Sequence, residues 1–337
     1  MSNLRILPYA VEDNEAALSL EEQCVQGKSL SLKFCRQTFH ARSEVYDNCR
    51  ILCAKAGGKL VGIVAATVKV VRLRNEMIRA AYIYDLRVHP DYRNYGLAKR
   101  LASAVLADIG QSVDCIYTLI AGQNERAIGL ARRSFGAMVV LPLIYAVLPV
   151  YKRLRNEEDH RFRNASRVHE MYLKRNRCIE FVPQFDEKKL HGYVASVSLG
   201  NLEEGACSIW TNENLLAEQV VTVPVYFRIL RVMSTPLRPF LKMPSIPMSD
   251  EIVRSWYLFH FYATNQRSAR NLIATVNNFA VTHDKKFLYI LLQSHDPALV
   301  LIRRSGCPVF TFPYLLFAKG QKIPCQSDKV YLDIKDV

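Results

Sequence analysis

The sequence lacks the cysteine patterns that mark disulfide scaffolds and zinc ribbons. Its nine cysteines are scattered over 337 residues, and no two of them form a C-x-x-C pair. An odd, unpaired set of this kind argues against a disulfide framework and against a structural metal site. We therefore expect no bound metal, and a reducing, cytoplasmic setting is the default expectation.

Long apolar runs are also missing. No run reaches the roughly 18 residues that a membrane-spanning helix needs, and the N-terminal residues do not show the basic stretch followed by an apolar core of a secretory signal. The most apolar segment, residues 139–150, contains two prolines and is too short to cross a bilayer. We expect buried strands there and no membrane partner.

Acidic residues are in deficit: 45 lysines and arginines against 31 aspartates and glutamates leave a net charge of +14. This charge suits an anionic partner such as a nucleotide cofactor, nucleic acid or a membrane surface. The basic residues are dispersed, and acidic and polar residues interleave in their densest stretch, residues 152–177. Charge alone does not choose among these partners, and nucleic acid is the disfavoured alternative.

Half of the residues are apolar, so a chain of this length can bury a large core. Domains commonly hold about 100–200 residues, which favours two of them. Hydrophobic periodicity predicts strands and helices in alternation. The predicted strands are residues 4–7, 50–55, 60–71, 79–88 and 115–121, and the predicted helices are residues 11–24, 91–108 and 125–135, with a polar helical stretch extending from the first helix to about residue 48.

The segment between the strand ending at Val88 and the next helix contains a candidate phosphate-binding loop. Its residues read R-x-x-G-x-A directly before the helix: Arg93, Asn94, Tyr95, Gly96, Leu97 and Ala98. Backbone N–H groups in such a turn point at one spot, and the helix N-terminus adds partial positive charge, so a pyrophosphate is stabilised there. Glycine lets the phosphate approach the backbone. The alternative interpretation is a helix start with an incidental glycine.

This loop resembles the acetyl-CoA pyrophosphate loop of the GNAT superfamily of N-acyltransferases. Asn124, Ala127, Leu130 and Phe135-Gly136 resemble a second motif of that family. Within it, the chain is most similar to the plant hookless-type acetyltransferases, through YDLRVHPDYRNYGLAKRL, LIAGQNERAIGLARRSFGA, PLIYAVLPVY and VYLDIKDV. The resemblance implies an α/β (α+β) GNAT fold, in which helices flank a mixed, mostly antiparallel central sheet.

The resemblance also implies where acetyl-CoA binds. The main chain of Leu86, Arg87 and Val88 would hydrogen-bond pantetheine, and the loop from Arg93 to Ala98 would hold the pyrophosphate. Asn124 would contact the pantetheine arm, and Ala127 would leave room beside it.

Catalysis requires a neutral acceptor amine, yet a lysine-like amine with a pKa of about 10.4 is almost wholly protonated at neutral pH. By the resemblance, Asp85 is the candidate base; the alternative is that Asp85 is only a polar residue at a strand edge. Tyr84 is the second candidate, and Tyr82 and His89 are lesser ones. Strand alternation places Tyr84 and Asp85 on opposite faces, so only one of them would face the cofactor. Ala131 replaces the tyrosine that protonates the leaving thiolate in many family members.

An internal echo suggests a second, degenerate GNAT-like lobe. Residues 127–134 (AIGLARRS) recur as residues 298–305 (ALVLIRRS), an offset of 171. The same offset aligns a strand at 255–261, a helix at 270–280 and a strand at 287–293 with the first half. The corresponding loop, residues 263–270, contains no glycine. Chance similarity of two amphipathic helices is the alternative.

We therefore predict two domains, residues 1–152 with the acetyl-CoA site and residues 153–337 as the degenerate lobe, with an acceptor cleft between them. The predicted activity is acetyl-CoA-dependent N-acetyl transfer by direct attack of an acceptor amine, carried by a small molecule or a protein. The alternatives are a catalytically silent CoA-binding or protein-interaction module, and an acyltransferase for longer acyl chains. The sequence does not identify the acceptor or the oligomeric state.

Overall fold

The computed structural model describes residues 4–25, 31–109, 113–136, 139–151, 153–155, 160–234, 236, 248–325 and 328–336. Its helices are α1 (Asn14–Glu22), α2 (Leu97–Ile109), α3 (Glu125–Phe135), α4 (Ala165–Arg175), α5 (Val225–Ser234), α6 (Gln266–Thr282) and α7 (Pro297–Arg303). Its strands are β1 (Leu4–Pro8), β2 (Ser31–Cys35), β3 (Cys49–Ala56), β4 (Lys59–Leu73), β5 (Glu76–Val88), β6 (Cys115–Ala121), β7 (Val139–Pro149), β8 (His160–Phe162), β9 (Ile179–Glu180), β10 (Val182–Pro183), β11 (Tyr193–Leu199), β12 (Gly205–Trp210), β13 (Ala217–Thr222), β14 (Ile252–Val253), β15 (Ser255–Ala263), β16 (Phe287–Gln293), β17 (Phe310–Gly320) and β18 (Lys329–Val330).

One large sheet organises the molecule. Its strands follow the order β1-β3-β4-β5-β6-β17-β7-β16-β15-β12-β11-β8, and β10 pairs with β4 at the side. Two pairs, β5–β6 and β15–β16, are parallel, and the other pairs are antiparallel. The predicted class, a mixed and mostly antiparallel sheet flanked by helices, is confirmed.

Helices α1 and α2 cover opposite faces of the first half of this sheet. Leu20 of α1 packs in the cluster that contains Tyr82, whereas Leu101 of α2 packs in the cluster that contains Ile83. A glycine on β4 lets α2 come close, because a Cβ at Gly62 would lie 2.8 Å from Leu101 Cδ1. This contact holds the start of α2 against the strands that lead to the candidate site.

The two halves of the chain repeat one arrangement. Strands β11, β12, β15 and β16 follow each other as β3, β4, β5 and β6 do, and β7 (Val139–Pro149) recurs as β17 (Phe310–Gly320) at the offset of the sequence echo. The last strands are exchanged: β17 lies between β6 and β7, and β7 pairs with β16. The predicted domain boundary falls at Lys152, outside the described residues, and stays a prediction.

Most predicted elements are confirmed. The predicted strands coincide with β1 and β3 to β6, and the strand predicted at residues 287–293 is β16 within the same bounds. The predicted polar helical stretch to residue 48 is wrong, because it contains β2 and a 3-10 segment, Phe39–Val45. The partner of β2 is β13, far along the chain, and such a pairing leaves no local sequence pattern.

Candidate functional site

A β-bulge shapes the middle of the candidate site. The register between β4 and β5 shifts so that two residues, Asp85 and Leu86, stand opposite Val64, and Asp85 has a φ of +49°. The guanidinium of Arg42 contacts Asp85 at 3.2 Å and lies 5.1 Å from the ring centre of Tyr84. Tyr84 and Asp85 thus lie on the same face, and the prediction that they lie on opposite faces is wrong. The extra residue of a bulge interrupts the alternation of side chains along the strand.

Beyond the point where their ladder ends, β5 and β6 separate. Their parallel ladder runs from Ala80 opposite Cys115 to Tyr82 opposite Tyr117 and ends there, although β5 continues to Val88. Main-chain groups on the open edge of β5 can therefore hydrogen-bond a ligand instead of a strand. The residues predicted to bind pantetheine, Leu86 to Val88, lie along this edge.

The predicted phosphate loop continues from the same strand. Asn94 and Gly96 have φ values of +68° and +75°, and α2 begins directly afterwards. In the part of the chain that the structure describes, no group accepts a hydrogen bond from the backbone N–H groups of residues 94–98. A Cβ built on Gly96 would meet nothing within 4 Å. The loop thus offers free donors, open space and a helix N-terminus, which together suit an anion.

Arg93 lies at the start of this loop but turns back. Its Nε donates to the carbonyl of Val88 at 3.0 Å, and its Nη2 lies 3.7 Å from the sulfur of Cys24. The side chain thereby ties the loop to the end of β5. Its predicted contact with phosphate requires a change of rotamer and stays a prediction.

The second motif lies at the start of α3. Asn124 caps this helix, since its Oδ1 accepts the N–H of Ala127 at 3.1 Å. Its side chain is exposed, and within the described ranges nothing accepts a hydrogen bond from its amide nitrogen. Ala131 is 2% exposed and packs with Ile120 and Phe317. A buried ring from β17 thus packs against the position where the resemblance expects a tyrosine.

Asp85 lies at the centre of a buried ion cluster. Its carboxylate contacts guanidinium nitrogens of Arg36, Arg42 and Arg87 at 2.9, 3.2 and 3.5 Å. Glu21 of α1 contacts Arg36 and Arg87 as well. Burial alone would raise the pKa of Asp85, but the guanidinium groups outweigh it and hold the pKa well below its usual range. Such a carboxylate is a weak base, so its predicted role in proton abstraction gains no support.

Tyr84 is a poor proton acceptor as well. Its hydroxyl lies 2.8 Å from Ser43 Oγ, and burial raises its pKa well above the usual value. The phenol therefore stays protonated at neutral pH.

The segment of residues 328–336 places two further carboxylates, those of Asp333 and Asp336, against β4, β5 and β6. Lys69 contacts Asp333 at 2.7 Å and also pairs with Asp336. The hydroxyls of Tyr82 and Tyr117 donate to Asp336, each at 2.7 Å, the first to its carbonyl and the second to its carboxylate. A cavity of about 20 Å³ beside them has room for one water molecule. No sequence pattern indicates this cluster, because its members are far apart in the chain.

Another carboxylate, Glu218 on β13, lies where the two halves meet. It is half-buried, and the hydroxyl of Tyr289 donates to its Oε2 at 3.3 Å. Burial raises the pKa of Glu218 to about 7, while the hydrogen bond from Tyr289 works in the opposite direction. No sequence pattern indicates Glu218 either, since β13 and the strand that carries Tyr289 are far apart in the chain.

The equivalent opening in the second half is occupied by the chain itself. A bulge recurs at His260, with a φ of +54°, and the ladder between β15 and β16 ends at Leu258 opposite Ile290. The hydroxyl of Tyr331 lies 2.6 Å from His260 Nε2, and Gln293 donates to the carbonyl of Asp328 at 3.0 Å. The segment from Asp328 to Tyr331 therefore lies in this opening, and the second half has the degenerate form that the sequence predicts.

Comparison with known proteins agrees with this geometry. Residues 15–137 match the model of the acetyltransferase (GNAT) family. No curated protein sequence matches the chain. The structure is similar to Saccharomyces cerevisiae N-myristoyltransferase with bound myristoyl-CoA, at 10% identity and a TM-score of 0.64, over 95% of this chain and 83% of that chain.

Two further structures share the fold. A candidate acetyltransferase of Pyrococcus horikoshii has 12% identity and a TM-score of 0.55, over 99% of this chain and 95% of that chain. The glucosamine N-acetyltransferase region of a fungal multi-domain β-N-acetylglucosaminidase has 14% identity and a TM-score of 0.59, over 95% of this chain and 38% of that chain. The chain therefore has the GNAT fold, in a tandem arrangement of two lobes.

Two other structural features bear on partners. Among the described residues, no three His, Cys, Asp or Glu side chains converge on a point where they could hold a metal ion. No helix in the described ranges is both long and apolar enough to span a membrane.

Proposed function

We propose that this protein is an acyl-CoA-dependent N-acyltransferase that transfers the acetyl group of acetyl-CoA directly to an acceptor amine. One observation carries the proposal: the bulge at Asp85, the opening between β5 and β6, and the free amides before α2 follow one another along the chain. A thioester, a pantetheine arm and a pyrophosphate follow one another in acetyl-CoA in the same order.

In this proposal each part of the cofactor has its own binding group. The main chain of Leu86, Arg87 and Val88 binds pantetheine, and the loop from Arg93 to Ala98 binds the pyrophosphate. Asn124 and Ala127 flank the arm on the other side of the opening. Asp85 holds the bulge in place through its arginines and stays ionised, and no proton transfer is assigned to Tyr84.

The reaction needs no covalent intermediate. The neutral amine attacks the thioester carbonyl, a C–N bond forms as the C–S bond breaks, and CoA leaves as a thiolate that takes up a proton. Ala131 supplies no acid, and thiolate leaves well without one. A silent CoA-binding module remains the rival hypothesis, and turnover separates the two.

Three stacked tyrosines support a short acyl group. The ring centres of Tyr82 and Tyr84 lie 5.4 Å apart, those of Tyr82 and Tyr117 lie 5.0 Å apart, and all three rings are buried. They fill the core beside the bulge, close to the position proposed for the thioester. A long acyl chain would have to displace them, which argues against the longer-chain alternative despite the shared architecture with N-myristoyltransferase.

Two finer points are also proposals. The likeness to the plant hookless-type acetyltransferases rests on the sequence strings quoted above. A cytoplasmic location is supported by nine cysteines, all of which are free thiols.

Calorimetry of acetyl-CoA with Gly96→Glu tests the cofactor site. The added carboxylate would repel the pyrophosphate, so we expect the affinity to fall on the order of 100-fold. Gly306→Glu is the matched control, because Gly306 also has a positive φ, +88°, and open space around its Cα. Equal binding by both variants would refute the phosphate loop.

Thiol release from acetyl-CoA across a panel of amines then tests turnover. Release supports the transferase, whereas tight binding without release favours the silent module. The same assay with octanoyl-CoA and myristoyl-CoA tests the acyl group, and we expect acetyl-CoA to be turned over fastest.

A further inference from the structure

The position of Glu218 links it to the bulge. Strand β13 pairs with β2, and Glu218 stands directly opposite Phe34. Arg87 lies over the ring of Phe34, 5.5 Å from its centre, and Arg36, two residues further on, contacts Asp85 at 2.9 Å. Because directly opposed residues of an antiparallel pair share one face, Glu218 lies on the face of this small sheet that points to the bulge.

A floor of tyrosines lies beneath Glu218. It is formed by four consecutive strands of the central sheet, β17, β7, β16 and β15, with neighbouring ring centres 5.1–5.5 Å apart; its members are Tyr314, Tyr145, Tyr289 and Tyr257. Tyr314 stands opposite Ala121, the last residue of β6, which borders the opening for pantetheine. The tyrosine floor therefore extends from the opening proposed for pantetheine to Glu218.

The side chains of this site keep some exposure, and no described basic residue pairs with its carboxylate. Glu218, Tyr145 and Tyr314 are only partly buried. Among the described residues no Lys or Arg forms an ion pair with Glu218, and the hydroxyl of Tyr289 is its hydrogen-bond donor. A half-buried carboxylate among aromatic rings favours a cation, since charge pairing and the ring faces both attract one.

We propose that Glu218 and the tyrosine floor form the acceptor site, where Glu218 binds the ammonium group of a primary amine beside an apolar stem and removes its proton. This inference rests on the proposed acyl transfer. The ammonium gives one proton to Glu218, and the neutral nitrogen then attacks the thioester. The nitrogen loses its second proton to the departing CoA thiolate, and Glu218 returns its proton to water.

The titration of Glu218 fits this role. A base works best when its pKa lies near the working pH, and the pKa of Glu218 is raised to about 7. The titratable groups that face it from the packed strands are the four tyrosines, all of which stay neutral at that pH, since burial raises their pKa values. Arg42 is the cation that acts on neighbouring Tyr314. We expect acyl transfer to fall as the pH drops through 7.

The test uses n-hexylamine as the probe and 1-hexanol as its uncharged counterpart, with binding followed by saturation-transfer NMR. Glu218→Gln keeps the shape of the side chain and removes its charge. We expect it to weaken binding of hexylamine about tenfold or more and to leave that of hexanol unchanged. Glu170→Gln, at an exposed glutamate of α4, is the matched control and should behave as wild type.

Kinetics supply the readout that a purely structural role would not move. In the wild type, the rate of acetyl transfer to hexylamine should fall as the pH drops through 7, which gives the pH profile an acidic limb. Glu218→Gln should lose this limb, while its affinity for acetyl-CoA stays at the wild-type value. Tyr289→Phe removes the hydrogen-bond donor that lowers the pKa of Glu218. The acidic limb of the rate profile should therefore move to higher pH in this variant. An unchanged limb in both variants, or unchanged affinity for hexylamine in Glu218→Gln, overturns the acceptor site.

These outcomes separate this inference from the proposed function. If acetyl transfer proceeds and Glu218→Gln keeps the wild-type rate and pH profile, the acceptor site is wrong and the transferase stands. If hexylamine binds through Glu218 but no thiol is released from bound acetyl-CoA with any amine, the transferase is wrong, and with it the proton-transfer role of Glu218.

Discussion

Asp85 and Glu218 illustrate how neighbouring side chains decide what a carboxylate can do. Asp85 is buried among three guanidinium groups, which keep it ionised. Glu218 has tyrosines around it, and burial brings its pKa to about 7. A pair of carboxylates whose environments push their pKa values apart divides naturally into a fixed charge and a titrating group.

Replacing Asp85 by asparagine should destabilise the fold strongly. Among the described residues, the substitution leaves Arg36 and Arg87 with Glu21 alone and Arg42 without a carboxylate partner, so we expect a loss of about 3 kcal/mol of unfolding free energy at neutral pH. Urea unfolding measures this loss. Since the pKa of Asp85 is lowered in the folded state, its stabilisation is present at neutral pH and disappears as the pH falls through that lowered pKa.

Asp284→Asn is the control for that measurement. Asp284 also contacts two basic side chains, Arg254 and Lys286, but its side chain is 59% exposed, so its loss should cost less than about 1 kcal/mol. Equal losses at the two positions would show that the buried cluster contributes no more than a surface pair.

Among the secondary-structure elements, those with local partners were predictable from the sequence. The hairpin of β3 and β4 follows from Gly57 and Gly58, which have φ values of +56° and +83° in the turn. Helix α2 follows from the spacing of Leu97, Leu101 and Val105, all of which are buried. The predicted helix began too early, since residues 90–92 form a separate 3-10 turn.

Elements that depend on distant partners were not predictable. Strand β2 forms because β13 pairs with it, and neither segment carries a signal for the other. The bulge at Asp85 breaks the regular alternation on which the facing of Tyr84 and Asp85 was predicted. The arginines around Asp85 and the tyrosines around Glu218 converge only through the fold, so charge counts and motifs did not reveal them.

The segment of residues 328–336 provides a prediction for one element. Lys69 has 11% of its side chain exposed and pairs with Asp333 and Asp336, so Lys69→Met removes the one cation that contacts both carboxylates among the described residues. We expect about 3 kcal/mol of destabilisation and faster amide hydrogen exchange in this segment. Lys59→Met, at an exposed lysine beside the β3–β4 turn, is the control and should change neither quantity. Unchanged exchange in Lys69→Met would show that the ion cluster does not hold the segment.

For the whole molecule, the exchange of last strands makes the two lobes interdependent. β17 from the second half fills the place between β6 and β7, and β7 extends the sheet of the second half. Each lobe thus completes the sheet of the other, and the strand pairing is continuous across the molecule. We expect a single cooperative unfolding transition, because neither sheet is complete without the other half.

Separated halves give the sharpest test of this interdependence. A fragment of residues 1–155 lacks β17, which leaves one edge of β6 and both edges of β7 unpaired, and we expect it to aggregate when produced alone. Production together with residues 156–337 should restore a soluble complex that binds acetyl-CoA as the intact chain does. A full-length chain cut at an engineered protease site at the same point is the matched control and should stay associated. If the fragment of residues 1–155 were instead soluble, unfolded cooperatively and bound acetyl-CoA with full affinity, the lobes would be independent domains and the exchanged strands would not be needed for folding.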